Sequence, residues 1–340
     1  MEGERNWAIS AVRLMALCMI VLCHLLQHYA LSNAEYLATG VQVFLCISGF
    51  LYGTKQVNDG VTFFKRGAWK IILDYWVLLL LVIPLFLAAE PGDHTLMSVL
   101  GLFAFQYQGF NGLQHTWFLP TILACYLAVP LLQRFAARVN TFSTARFLAE
   151  TALLFVVLQI VLDNIILGIN AAWLFCFMIV YLLSSRKTAG RMRNFRTATI
   201  ALSVAAVVLN AVKIYINTCL ARPVAGTWVY YFHVLLEDYA HATFGVAVFF
   251  LSYLVFSAIR LERIKTIGTV LRFTDRYSYD IYLAHYIWIE APFGVAAMAL
   301  SPYGDIIVIL LGTVLGAMLL HWLSQTVNKL IRNGTKPRLA

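Results

Sequence analysis

Charge is scarce in this chain. Asp, Glu, Lys and Arg make up 12% of its 340 residues, and hydrophobic residues make up 61%. A soluble domain carries about twice that charge, so the composition excludes one and leaves a polytopic membrane protein. Metal and redox signatures are missing as well. The six cysteines (Cys18, Cys23, Cys46, Cys125, Cys176 and Cys219) fall in or at the ends of apolar segments, and none forms a Cys-x-x-Cys pair. They read as buried small hydrophobes. With no His-Glu-x-x-His and no Cys/His cluster, neither a metal site nor a permanently bound cofactor is expected. A small-residue cleavage pattern is lacking after the first apolar segment, which is long and contains Arg13. That segment is therefore expected to stay as a helix and not to be removed as a signal peptide. No soluble appendage, low-complexity linker or internal repeat interrupts the chain, so residues 1–340 read as a single integral-membrane domain.

What the sequence does contain is ten apolar runs of about the length that spans a bilayer. They cover approximately residues 7–29, 36–55, 70–89, 116–134, 147–168, 171–185, 196–218, 240–260, 278–300 and 305–328. The division between the fifth and sixth is set near Gly168–Asn170. The expected fold is all-α, with about ten transmembrane helices. Basic residues give the orientation. Twenty-two of the 25 Lys and Arg residues fall at the two termini and in the even-to-odd loops; Arg13 is in a helix, and only Lys213 and Arg222 fall on the other side. Both termini are expected in the cytoplasm, with the chain multi-pass in the inner (cytoplasmic) membrane. The net charge of +9 belongs to this asymmetry, and a nucleic-acid partner is unnecessary to explain it. The outer 3–4 loop, "EPGDHTLMSVLGLFAFQYQGFNGLQH", has no Lys or Arg and is suited to fold back as a partly buried segment. The outer 7–8 loop, "CLARPVAGTWVYYFHVLLEDYA", is rich in aromatics, which suit either an interfacial belt or stacking on sugars.

Two costly residues stand in the first run, "AVRLMALCMIVLCHLLQ". Eleven residues at about 100° each come to roughly three full turns, so Arg13 and His24 share one helix face, roughly 16 Å apart along the axis. Singly, Arg13 would snorkel to the inner interface and His24 would be a packing histidine. Together they suit a polar line facing an internal cavity, since a lipid-facing pair is expensive. Coenzyme A fits those dimensions, with an anionic end, a long narrow arm and a reactive thioester. Arginine binds phosphate oxygens bidentately, and a histidine with a near-neutral pKa suits general-base chemistry.

Further segments resemble one family. "GVQVFLCISGFLYG" (40–53) resembles the Gly-Val-x-x-Phe-Phe-x-x-Ser-Gly-Phe segment of the acyltransferase-3 membrane family. "HTWFLPTILACYLAVP" (115–130) resembles its His-x-Trp-Phe-Leu helix, "YSYDIYLAHYIWI" (277–289) its Ser-x-x-Ile-Tyr-Leu-x-His helix, and Arg13-x10-His24 its arginine–histidine pair. The resemblance implies ten helices, a cytoplasmic acyl-CoA donor (acetyl-CoA as co-substrate) and transfer to an acceptor at or beyond the outer face, commonly a glycan hydroxyl. It carries the family's arginine and histidine onto Arg13 and His24. Three departures stand out. "FFKRGAWKIILDYW" offers Arg66 and Lys70 where relatives have an Arg-rich stretch followed by proline. Position 42 is Gln where many relatives have Asp. The extracellular esterase-like domain fused to some members is absent from this sequence.

The expected site follows from these segments. His24 is the catalytic base, and His115, at the same depth, either an interfacial histidine or a group that positions the acceptor or stabilises the oxyanion. Arg13, Arg66 and Lys70 are donor-binding candidates, the last two also explicable as topology determinants, with Asp74 at i+4 from Lys70. Ser48 and Gly49 serve either close helix approach or passage of the pantetheine arm. Trp117, His285, Glu290 and Glu237 are acceptor or cavity-lining candidates. Glu237 shares a helical face with His233 and His241 near Asp238, and that face is either solvated or hydroxyl-binding. Expected partners are acyl-CoA, a glycan or lipid-linked glycan, and the bilayer. The oligomeric state is not legible. The competing readings are a transporter or channel using the Arg13–His24 line, and an acyltransferase with a lipid or small-molecule acceptor.

Overall fold

An apolar segment inside a bilayer must satisfy its own backbone polar groups, and the helix does so within one segment. The computed structural model is accordingly all-helical, with no strand among the described residues, which are 5–164, 169–220, 223–298 and 301–334. In chain order the helices are α1 (Trp7–His28), α2 (Gly40–Gly53), α3 (Gly60–Ala89), α4 (Leu96–Leu102), α5 (Phe118–Val139), α6 (Thr144–Asn164), α7 (Ala171–Thr188), α8 (Arg196–Cys219), α9 (Trp228–Ala258), α10 (Lys265–Glu290), α11 (Val295–Met298) and α12 (Pro302–Gly334). Each of the ten expected apolar runs corresponds to one long helix of this series. Eight segments are long and apolar enough to cross a membrane. The other two are α7, whose last turn is Arg186 and Lys187, and α10, which carries Lys265, Arg272, Asp275, Arg276 and Asp280.

Three helices differ most from the sequence reading. Helix α3 starts at Gly60, so Arg66 and Lys70 stand on a helix and not in a loop. Helix α9 starts at Trp228, where the Thr227 side chain accepts from Tyr230 N and caps the first turn, so the aromatic stretch and His233, Glu237 and Asp238 are helical. The ninth segment is interrupted after residue 290. Helix α10 begins at Lys265 and ends at Glu290, just before Ala291-Pro292, because proline has no N–H and disfavours the helical conformation of the residue before it. The expected boundary at Gly168, and Arg222, Lys336 and Arg338, lie outside the described residues.

The chain divides into two compact units, the first Met1–Ile20, Glu35–Gly60 and Ala124–Arg272, the second Val21–Ala34, Val61–Leu123 and Phe273–Ala340. In the first unit α2 packs on α7 and α9, and α8 packs on α9. The approach of α2 to α7 depends on two small residues a turn apart. A Cβ at Gly49 would overlap the carbonyl oxygen of Phe177, and one at Gly53 that of Tyr181. Cys46 and Cys176 are buried at the same packing, and Cys46 Sγ lies 3.6 Å from Cys176 O. Buried Arg186 donates to Phe142 O and Thr144 Oγ1, both at 3.3 Å, and its guanidinium lies over the Phe147 ring. It therefore joins the end of α7 to the α5–α6 turn. In the second unit the segment between α3 and α5 does fold back: Leu102, Phe110 and Leu113 are fully buried, and His94 stacks on Phe110 at 4.2 Å.

The basic-residue bias predicts the orientation. In a background with the exposed Cys18 and Cys219 replaced by serine, a cysteine at exposed Ala225, beside Gly226, is expected to react with an impermeant maleimide added outside. One at Arg191 is expected to react only after permeabilisation. The reverse pattern would invert the polarity of the whole chain.

Candidate functional site

The last two turns of α1 and the second half of α10 belong to the second unit, as does the segment before α5. Each contributes a histidine. His24 is half-buried on α1, one helical turn before Gln27. Its Nδ1 lies 3.0 Å from Gln27 Oε1. A carbonyl oxygen only accepts, so Nδ1 carries the proton and donates, and Nε2 presents a lone pair. His285 on α10 is 0% exposed. Its Nδ1 lies 2.7 Å from the Tyr282 carbonyl oxygen and donates to it, which leaves Nε2 as a buried lone pair with no hydrogen-bond partner.

His115 stands on a 3-10 turn, Gln114–Trp117, that leads into α5. It is 3% exposed. Neither ring nitrogen makes a hydrogen bond of acceptable geometry, although the backbone of Leu283 and Tyr282 lies within electrostatic reach. Two features hold this turn against the end of α10. The Tyr282 hydroxyl donates to the carbonyl oxygen of His115. Gly112, at φ +92°, has a backbone conformation that favours glycine, and a Cβ there would lie 2.9 Å from Ala291 N.

The rings form one cluster. Centroid separations are 4.3 Å for His24–Tyr286, 5.3 Å for His24–His285, 5.2 Å for His115–His285 and 5.3 Å for His115–Tyr286. Among the described residues no three His, Cys, Asp or Glu side chains are placed to hold one metal ion. Chemically, the cluster offers the Nε2 lone pairs of His24 and His285, and beside them the buried His115 ring, with backbone of Leu283 and Tyr282 close to it. Open imidazole lone pairs accept from ligands that bring O–H or N–H donors. One turn beyond the cluster His28 Nδ1 lies 3.6 Å from Glu290 Oε1, and Tyr29 donates to Asp305 Oδ2 at 2.7 Å.

Of the residues expected from the sequence, the second unit thus brings together His24, His115 and His285, with Glu290 paired to His28. Trp117 adjoins His115 on the same 3-10 turn and is half-buried. Arg66 and Lys70 are exposed on α3. Lys70 interacts electrostatically with Asp74, Asp280 and His321, so its charge is shared with two buried carboxylates. Arg13, Ser48, Gly49 and Glu237 belong to the first unit. There Gly49 faces the α7 backbone, and half-buried Ser48 interacts with Tyr126. Glu237 and His233 do share a helix face, but both engage Asn217 of α8: Asn217 Nδ2 donates to Glu237 Oε1 at 3.0 Å, and His233 Nε2 lies 2.6 Å from Asn217 Oδ1. Asp238 accepts separately, from Asn170 at 2.7 Å.

Sequence reasoning missed Gln27, Tyr282 and Tyr286 at the cluster. Gln27 is at i+3 from His24, and the two tyrosines are four apart on either side of His285, so helical spacing carried the signal. It also missed a second polar group, in which His321 Nδ1 lies 3.0 Å from Asp280 Oδ2 and Arg276 Nε donates to His321 Nε2 at 3.4 Å. No spacing rule joins residues of α10 and α12, so that group was not legible.

Comparison with known proteins adds one finding. A family model described as an acyltransferase domain, of the acyltransferase-3 type, matches residues 6–322. No curated protein and no solved structure matches.

Proposed function

We propose that this chain, which belongs to the acyltransferase-3 family, moves an acetyl group from cytoplasmic acetyl-CoA to a hydroxyl of a cell-envelope glycan, or of its lipid-linked precursor, at the outer face. Family membership and the apolar helices make it a multi-pass membrane acyltransferase; donor, acceptor and base are the proposal. The observation that carries it is the pair of imidazoles, His24 and His285, that both donate from Nδ1 to a carbonyl oxygen and leave Nε2 open. A hydroxyl nucleophile needs such a lone pair beside it, and His24, only half-buried, is the one reachable by a large acceptor.

The acceptor oxygen attacks the thioester carbonyl carbon while His24 Nε2 removes the hydroxyl proton. The carbonyl oxygen becomes an oxyanion, and an N–H of the His115 ring is the donor suited to meet it. Collapse of the tetrahedral species breaks the C–S bond. The departing thiolate takes the proton back from the His24 imidazolium, so an O-acetyl ester and free coenzyme A are the products and no acyl-enzyme forms. At the cytoplasmic end Arg13, on the same face of α1, receives donor phosphate, with Arg66 and Lys70 as further candidates.

The test uses the purified full chain in detergent with acetyl-CoA and an extract of envelope glycans and lipid-linked precursors. The expected result is free thiol released with an acetyl ester appearing on a glycan, detected by mass spectrometry. Passage of acetyl-CoA across proteoliposomes with no C–S cleavage would instead make the chain a transporter.

A further inference from the structure

We infer that Gln27 is a positioning residue for the reaction, holding His24 in the tautomer that can act as a base. The inference rests on the reading of His24 as the base, and it goes beyond that reading by assigning a role to a side chain outside the motif Arg13-x10-His24.

An imidazole removes a proton only from an unprotonated nitrogen that faces the substrate. A neutral histidine has two tautomers, and whichever nitrogen is engaged as a donor determines the one left open. On α1 the i+3 spacing brings Gln27 beside His24, with Oε1 3.0 Å from Nδ1. No other element is seen to provide that acceptor. From α10, His24 meets the rings of His285 and Tyr286, and His115, whose ring contacts both of these, adds only an electrostatic influence. Tyr286 contacts His24 ring to ring at 4.3 Å and limits how the imidazole can turn. Gln27 is exposed, so packing does not account for its amide, and an apolar side chain there would suit a lipid-facing position equally well. His285 has its own device for the same tautomer, a bond to the Tyr282 carbonyl oxygen. His24 lacks an equivalent backbone partner among the described contacts and takes a side-chain amide in its place.

Nitrogen NMR on the full chain in lipid bilayers, labelled on histidine, tests this without relying on activity. The His24 signals are those lost in His24→Ala. In the wild type they are expected to show a protonated Nδ1 and an unprotonated Nε2; in Gln27→Leu the two tautomers should mix or invert. In the thiol-release assay Gln27→Leu should lower kcat about two- to tenfold, the range that one neutral hydrogen bond supplies, while KM for acetyl-CoA stays at the wild-type value. Gln27→Met, of nearly the same size, replaces Gln27→Leu if that variant does not fold. A wild-type His24 protonated on Nε2, a Nδ1-protonated form that survives both substitutions, or an unchanged kcat overturns the inference. The proposed function fails by a different result, retention of activity in His24→Ala, which leaves the tautomer measurement to stand or fall by itself.

Discussion

Replacing His24 by alanine is expected to abolish turnover while expression, thermal stability and acetyl-CoA affinity stay near wild type. General-base catalysis contributes about 10²–10⁴ in rate, so residual activity should fall to about one per cent or less. Stability should hold because the side chain is only half-buried and its hydrogen-bond partner, Gln27, is exposed, so no buried polar group is stranded. His24→Gln should not rescue, since an amide can orient a hydroxyl but cannot accept its proton at neutral pH. In the wild type the rate should fall at acid pH, as the imidazole binds a proton and loses its lone pair. His115→Ala is the control. It keeps the backbone carbonyl that Tyr282 bonds to, so the turn should stay in place, and the loss should appear mainly in acceptor use or oxyanion stabilisation. If His24→Ala keeps a tenth or more of the activity while His115→Ala is dead, the base is on the turn before α5 and not on α1.

Arg13→Ala should weaken acetyl-CoA binding roughly ten- to hundredfold. A hydrogen bond to a charged group contributes about 1.5–3 kcal/mol, and the guanidinium fork matches phosphate oxygens. Arg13 is half-buried on an uninterrupted α1, so its charge is not simply dispersed in solvent. Calorimetric titration with acetyl-CoA, and with a donor analogue lacking the ribose phosphate, separates one contact from the general field. The analogue should lose affinity for the wild type and little more for Arg13→Ala. Unchanged donor affinity in a variant with lowered thermal stability would make Arg13 a snorkelling structural residue. Arg66→Ala and Lys70→Ala should have smaller effects, the latter because Lys70 interacts with Asp74 and Asp280.

Helix positions were legible because the bilayer imposes a length of about twenty apolar residues and closes the backbone hydrogen bonds within each segment. The errors lie where a helix continues beyond its apolar run, and at the end of α10, which stops before Pro292. Apolarity marks the part inside lipid, so the polar or aromatic starts of α3, α9 and α10 were read as loops. His24 stood out as a candidate because helix geometry places it on one face with Arg13. His115 and His285 were recognised singly, as residues of two motifs far apart in the chain, and their meeting with each other was not.

By itself the sequence determined the all-helical membrane class, the approximate places of the long helices, the charge bias and the candidate residues, because each depends on composition or on periodicity within one segment. Only the tertiary structure decided that Tyr282 fastens the His115 turn to α10, that His24 and His285 both keep Nε2 open, and that Asp280 is paired with His321. It also decided that Glu237 is engaged by Asn217. These are contacts between groups distant in sequence, or choices between two nitrogens of one ring. They depend on which groups end up within about 3 Å of each other; helical spacing makes the i,i+3 partners of His24 and His285 possible, but it does not specify the contacts between separate helices.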